Sequence, residues 1–197
     1  MIKVAITGNI ASGKTAVEEI LRKKGYQVLD TDDISHTLLE DKKVKEQIIS
    51  EFEKFDIVEN NEISRHKLGK IVFTDIKLRK KLEEILHPLI KKEIRRFFRQ
   101  CESKGEKIAF VSVPLLFEVN MQKLFDKIVL VHADTQFRLQ RLVSRNNLTI
   151  EQAKNRIKIQ MPQDEKLKLS DYVIYNNKTS KELELAINSL EKTLNLL

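Results

Sequence analysis

Gly8-Asn9-Ile10-Ala11-Ser12-Gly13-Lys14-Thr15 spells G-x-x-x-x-G-K-T between an apolar strand pattern, Lys3 to Thr7, and a helical pattern, Ala16 to Lys24. That spacing suits one kind of chemistry. Glycine lets the backbone approach a phosphate with no Cβ in the way. Successive N–H groups then face the phosphate oxygens, helped by the positive end of the following helix. Lys14 is placed to bridge the β- and γ-phosphates of a nucleoside triphosphate, and the Thr15 hydroxyl to ligate Mg²⁺. A chance match in such a chain is on the order of one per cent at average glycine usage. With only 5 glycines present it is rarer still.

A phosphate loop alone does not separate switch proteins, motors and kinases. A GTPase switch needs D-x-x-G, but the residues three before each glycine are Ala5, Ile10, Arg22, His66 and Glu102. A guanine-reading N-K-x-D is also missing, because Asn177-Lys178-Thr179 is followed by Ser180, and no L-S-G-G-Q occurs. A small-molecule kinase needs a carboxylate near its acceptor hydroxyl. Asp30, Asp32 and Asp33 follow the second strand pattern, Tyr26 to Leu29. In parallel sheets, functional groups collect at the carboxyl ends of strands. If the chain stays extended, residues 30 and 32 share a face. Asp32 is then the candidate proton acceptor, and Asp33 reads rather as the cap of the next helix.

The positioning elements alternate. Further strands are expected at Lys107 to Val113, Lys127 to His132 and Asp171 to Tyr175, with helices between them. Strands separated by helices pair in parallel through right-handed crossovers, giving an α/β fold with a five-stranded sheet. From Ile34 to Cys101 the pattern is helical, too long for one crossover, so it reads as a lobe beside the sheet. Within it Asn60-Asn61 is a turn signal, Ser64 and Thr74 are expected N-caps, and Pro88 is expected to break or restart a helix at His87. Thr149 and Gln152 suggest a capping box. The polar, basic segment from Ser144 to about Glu165 reads as a lid.

Composition is a globular balance rather than a disordered one: 41% hydrophobic and 33% charged residues. The amino terminus lacks a secretory layout, no apolar run is long enough to span a bilayer, and Cys101 is the single cysteine, so a cytoplasmic location is expected. The net charge of +7 suits anionic ligands or nucleic acid. Its densest stretch, Lys91 to Arg99, has apolar residues at helical spacing and reads first as a solvated helix face.

Taken together, TGNIASGKT at Thr7–Thr15, DTDDISH at Asp30–His36, LHPLI at Leu86–Ile90, VPLLFE at Val113–Glu118, RLVSR at Arg141–Arg145, RIKIQMPQDEK at Arg156–Lys166 and DYVIYN at Asp171–Asn176 resemble the dephospho-CoA kinase family in order and spacing. The resemblance covers essentially the whole chain. It implies a P-loop NTPase-type three-layer fold with a helical substrate lobe and a lid. It implies ATP and dephospho-CoA as partners, Mg²⁺ as cofactor, no nucleic acid, no membrane, and a monomer or small homo-oligomer.

By that resemblance Asp32 stands where the family's general base stands. His87 and Pro88 match the His-Pro near the acceptor, with Gln160 and Lys166 as further substrate-site positions. Arg141 and Arg145 match basic residues at the lid entry. Asn176 falls in the stretch near the adenine of ATP. The expected site is therefore Asp32, Lys14 and Arg141 for catalysis. ATP is expected at Gly8 to Thr15 with Arg145 and Asn176, and the metal at Thr15. The expected division is a core of 1–34, 104–143 and 167–197, a lobe of 35–103 and a lid of 144–166. Two departures stand out: Thr31 and His36 where the family usually reads Ala and Arg, and Asn146 where it usually reads Asp. A neutral histidine cannot pair a phosphate bidentately as arginine does. A kinase of another small molecule, such as a nucleoside or nucleotide, or an ATP-dependent nucleic-acid-binding protein, is the alternative.

Overall fold

Runs of Val, Ile and Phe too apolar for one-sided exposure belong in a parallel sheet covered on both faces. A computed structural model, which describes residues 1–195, shows this arrangement. In chain order the elements are β1 (Ile2–Thr7), α1 (Lys14–Lys23), β2 (Gln27–Asp30), α2 (Thr31–Glu40), α3 (Lys42–Glu51), β3 (Val58–Glu59), β4 (Glu62–Ile63), α4 (Arg65–Thr74) and α5 (Ile76–Ser103). Then follow β5 (Ile108–Ser112), β6 (Lys127–His132), α6 (Thr135–Asn146), α7 (Ile150–Lys158), α8 (Gln163–Lys168), β7 (Tyr172–Tyr175) and α9 (Ser180–Asn195). The chain forms two compact units, residues 1–29 with 98 onward, and residues 30–97.

The first unit is built on a five-stranded parallel sheet of order β2-β5-β1-β6-β7. β1 lies at its centre, with Ile6 opposite Ser112 of β5 and Thr7 opposite Leu130 of β6. Alternate residues Val4 and Ile6, Ile108 and Phe110, and Val129 and Val131 form one face, packed with Val17 and Leu21 of α1 and Leu183, Ile187 and Leu190 of α9. The opposite residues Ala5, Ala109, Val111 and Leu130 are equally buried. Because β1 is central, the loop that leaves its carboxyl end emerges over the middle of the sheet. The single cysteine, Cys101, is buried, and burial pushes its thiol pKa up. Among the described residues no helix is long and apolar enough to cross a membrane.

The second unit is helical, with Ile34, Val44, Ile48, Phe52, Ile57, Ile63 and Leu68 buried. The Asn60-Asn61 turn joins a small antiparallel hairpin, β3 to β4, with both asparagines at positive φ, as a tight hairpin turn requires.

Three local expectations change. Thr74 ends α4, its hydroxyl bonding back to Lys70 and Ile71, and Asp75 caps α5 through the amides of Lys77 and Leu78. Asp30, not Asp33, caps α2, accepting from the Asp32 amide, so the chain turns helical at Thr31 and residues 30 and 32 do not share an extended face. Pro88 does not break α5, which runs unbroken for 28 residues. Proline removes one helical hydrogen bond, from residue 88 to the Glu84 carbonyl. The buried stripe Leu86, Ile90, Ile94 and Phe98 continues through it and outweighs that loss.

Pro88→Ala restores the missing bond at an exposed helix position. It is expected to raise stability by about 1–3 kcal/mol, read as a higher melting temperature.

Candidate active site

The phosphate loop folds as its composition demands. Gly13 has φ 96°, and a Cβ there would collide with the Asn176 side-chain amide. At Gly8 a Cβ would strike the Val131 carbonyl oxygen of the adjacent strand. Ala11 takes the left-handed conformation at φ 61° despite its side chain, at a cost of about 1–2 kcal/mol. Gly13 also brings no side chain to cap α1, so the first-turn amides are not engaged by a cap. The Lys14 ammonium donates to the Gly8 carbonyl at 2.8 Å, lying back across the loop. Thr15 is exposed in the first turn of α1.

A loop that turns its amides toward an anion must dispose of its carbonyls elsewhere. Here side chains from α6 and the end of β7 take them. Arg138 Nε donates to the Ile10 carbonyl at 3.0 Å. Arg141 donates to the carbonyls of Ala11 and Ser12, each at 3.3 Å, and to that of Asn176 at 2.8 Å. Asn176 Nδ2 donates to the Ser12 carbonyl at 2.8 Å, while its own amide is held by the His132 carbonyl. Three consecutive loop carbonyls thus have fixed donors.

A second set of contacts joins the loop to the segment after α7. Asn9 Nδ2 donates to the Met161 carbonyl at 2.7 Å, and the Ile10 amide donates to Gln160 Oε1 at 2.7 Å. Lys166 is fully buried on α8, paired with Glu118 at 2.8 Å and donating to the Pro114 carbonyl at 3.3 Å. Those bonds tie α8 to the turn beyond β5. Arg145 is exposed in the last turn of α6, its Nε donating to the Asn146 side-chain oxygen at 3.1 Å.

The second unit carries the other expected residues. Asp32 and Asp33 are exposed in the first turn of α2, where the helix dipole favours their charge, and His36 is exposed one turn on. His87 and Pro88 line a groove of about 600 Å³ along α5, with Glu84, Lys91 and Arg95. His87 is half-buried, and desolvation holds its pKa below the usual histidine value against the opposing pull of Glu83.

Sequence reasoning missed Arg138 and Glu118. Each acts through a partner far along the chain, 128 residues away for Arg138, which leaves no local signature. The only available signal was the i,i+3 spacing of Arg138 and Arg141, which puts both on one face of α6.

A model of the family described as dephospho-CoA kinase matches residues 2–182. A dephospho-CoA kinase of Listeria innocua is 38% identical over 195 residues, covering 96% of this chain and 90% of the relative. A Thermus thermophilus crystal structure superposes with a TM-score of 0.83 at 32% identity, covering 98% of this chain and 97% of that one. A dephospho-CoA kinase from Campylobacter jejuni gives a TM-score of 0.72 at 28% identity, with coverage of 98% and 97%.

Two outcomes are expected. Gly13→Ala forces a left-handed backbone on alanine and displaces Asn176, so ATP affinity measured by calorimetry falls at least about tenfold. His87, with its folded pKa below the unfolded value, binds fewer protons folded than unfolded. Its contribution to stability is present above the unfolded pKa of 6.5 and is lost as pH falls through the lower folded value. Denaturant melts from pH 7 downward should lose stability, and His87→Gln should flatten that slope.

Proposed function

The chain belongs to the dephospho-CoA kinase family, and from that membership we propose how its residues divide the reaction. The activity is transfer of a phosphoryl group from ATP to dephospho-CoA, the final step of coenzyme A biosynthesis. The acceptor atom in this reading is the ribose 3′-hydroxyl. Asp32 orients that hydroxyl and takes its proton as its oxygen bonds to the γ-phosphorus, and ADP leaves. The loop from Gly8 to Thr15 holds the ATP phosphates, and the Lys14 ammonium moves from the Gly8 carbonyl onto the transferring group. The observation that carries this reading is the loop itself: an amide-presenting turn at the centre of the sheet, with its carbonyls bonded away.

Thr15 fits a divalent cation, since it presents a hard oxygen donor in the first turn of α1 with no partner among the described residues. Mg²⁺ held there by Thr15 would neutralise charge on the phosphates. Arg145 and Asn176 serve ATP, the first through its exposed charge and the second by holding the loop near the base. His87 and Pro88 form part of the dephospho-CoA surface. Lys166 acts in the substrate site indirectly, by fixing the turn beyond β5, while Gln160 sits against the loop amide of Ile10. Residues 35–103 form the substrate lobe and 144–166 a lid on a core of 1–34, 104–143 and 167–197, in a cytoplasmic enzyme.

Arg141 has two possible uses, and its bonds favour one. The sequence pattern suggests a charge on the moving phosphoryl group. Its guanidinium instead spends its donors on three carbonyls, which favours a role exerted through the loop.

Steady-state formation of CoA from ATP and dephospho-CoA tests the assignment. Asp32→Asn is expected to lower kcat about 10²–10⁴-fold with ATP affinity nearly unchanged. Unchanged turnover would remove Asp32 as the base. Lys14→Ala is expected to damage both ATP binding and kcat, because its charge serves ground state and transition state alike.

A further inference from the structure

Arg138 is the fourth residue of α6 and lies outside the phosphate-loop motif. It is 2% exposed. Arginine is almost never so deeply buried without a counter-charge. Among the described residues Arg138 has no carboxylate partner, and its Nη2 is buried with no acceptor. Among the described residues its one side-chain hydrogen bond, from Nε, goes to the Ile10 carbonyl. Burial alone drives its pKa down, with no acidic neighbour pulling the other way.

The peptide it holds is a particular one. The carbonyl of Ile10 and the N–H of Ala11 belong to the same planar unit, so a donor on the carbonyl fixes where that N–H points. The same holds for the Ser12 carbonyl, bonded by Arg141 and Asn176, and the Gly13 N–H. Neither the Ala11 nor the Gly13 amide has an acceptor among the described residues. A charged donor on a carbonyl also polarises the peptide, making its N–H a stronger anion donor.

We propose that Arg138 is a positioning residue whose buried charge sets affinity for the nucleotide's phosphates, acting through the Ile10–Ala11 peptide of the loop. The charge has no partner within the described chain because its partner is the polyphosphate. The inference rests on the phosphate loop binding ATP, and does not depend on which group accepts the phosphoryl.

The test compares Arg138→Lys, Arg138→Gln and Arg138→Met by calorimetry with ATP and with adenosine, alongside kcat at saturating ATP. Lysine keeps the charge, glutamine keeps a neutral donor for the Ile10 carbonyl, and methionine keeps only the bulk. The expected result is ATP affinity lowered about tenfold or more in the Gln and Met variants, and substantially retained in Lys. Adenosine affinity and kcat should stay within about twofold of wild type, which a merely structural arginine would not predict. Melting temperatures without nucleotide should not fall in the Gln variant, since an uncompensated buried charge has been removed. Glutamine binding ATP as well as wild type would overturn the charge role. Equal loss of adenosine and ATP would reduce Arg138 to a packing residue. If the Met variant fails to fold, the Lys and Gln pair decides alone. Loss of ATP binding in Lys14→Ala with no loss in any Arg138 variant would sink this inference and leave the loop assignment standing.

Discussion

A phosphate loop works only if its peptide units all face the right way, and a peptide unit has two ends. The amide end is the one the ligand meets. The carbonyl end must be bonded too, or a buried acceptor goes unpaired and the loop relaxes. In this chain Arg138, Arg141 and Asn176 supply those bonds for Ile10, Ala11 and Ser12. Much of the surrounding architecture serves this arrangement. β1 and β6 pair in parallel, so α6 and the end of β7 rise beside the loop at the same edge of the sheet. The left-handed Ala11 and the glycines at 8 and 13 are the backbone cost of the turn.

The same constraint explains why some charges are buried and others are not. Surface pairs such as Lys45–Glu62 and Lys67–Asp56 are exposed and worth little individually. Lys166 is fully buried and matched by the part-buried Glu118, which fixes the turn that follows β5. Arg138 is buried with no carboxylate partner among the described residues, beside the phosphate loop. Burying a charge without a partner is normally prohibitive, so the exception marks a place where the partner is the ligand.

What was legible in the sequence was what is local. The phosphate loop is complete within eight consecutive residues, and the five strands announce themselves as short apolar runs. The Thr149–Gln152 capping box lies within four consecutive residues and formed as read. Where competing signals lie close together, the fold decides between them. Asp30, Asp32 and Asp33 are all good caps, and the one that caps is the residue at the end of β2. Pro88 is a helix breaker by type, yet α5 continues because its apolar stripe is buried on both sides of the proline. Least legible were long-range partners. Nothing around Arg138 signals Ile10, and nothing around Lys166 signals Glu118, because burial of a charge is decided by the whole fold.

Central to this site is whether the arginines of α6 act by holding the loop. The most direct measurement is the ATP dissociation constant of Arg141→Ala, set beside its kcat at saturating ATP. A brace predicts that the dissociation constant rises about tenfold or more while kcat falls less. An unchanged dissociation constant with a large loss of kcat would place Arg141 on the transferring phosphoryl group instead, and would contradict the view that the loop's carbonyls govern how it binds.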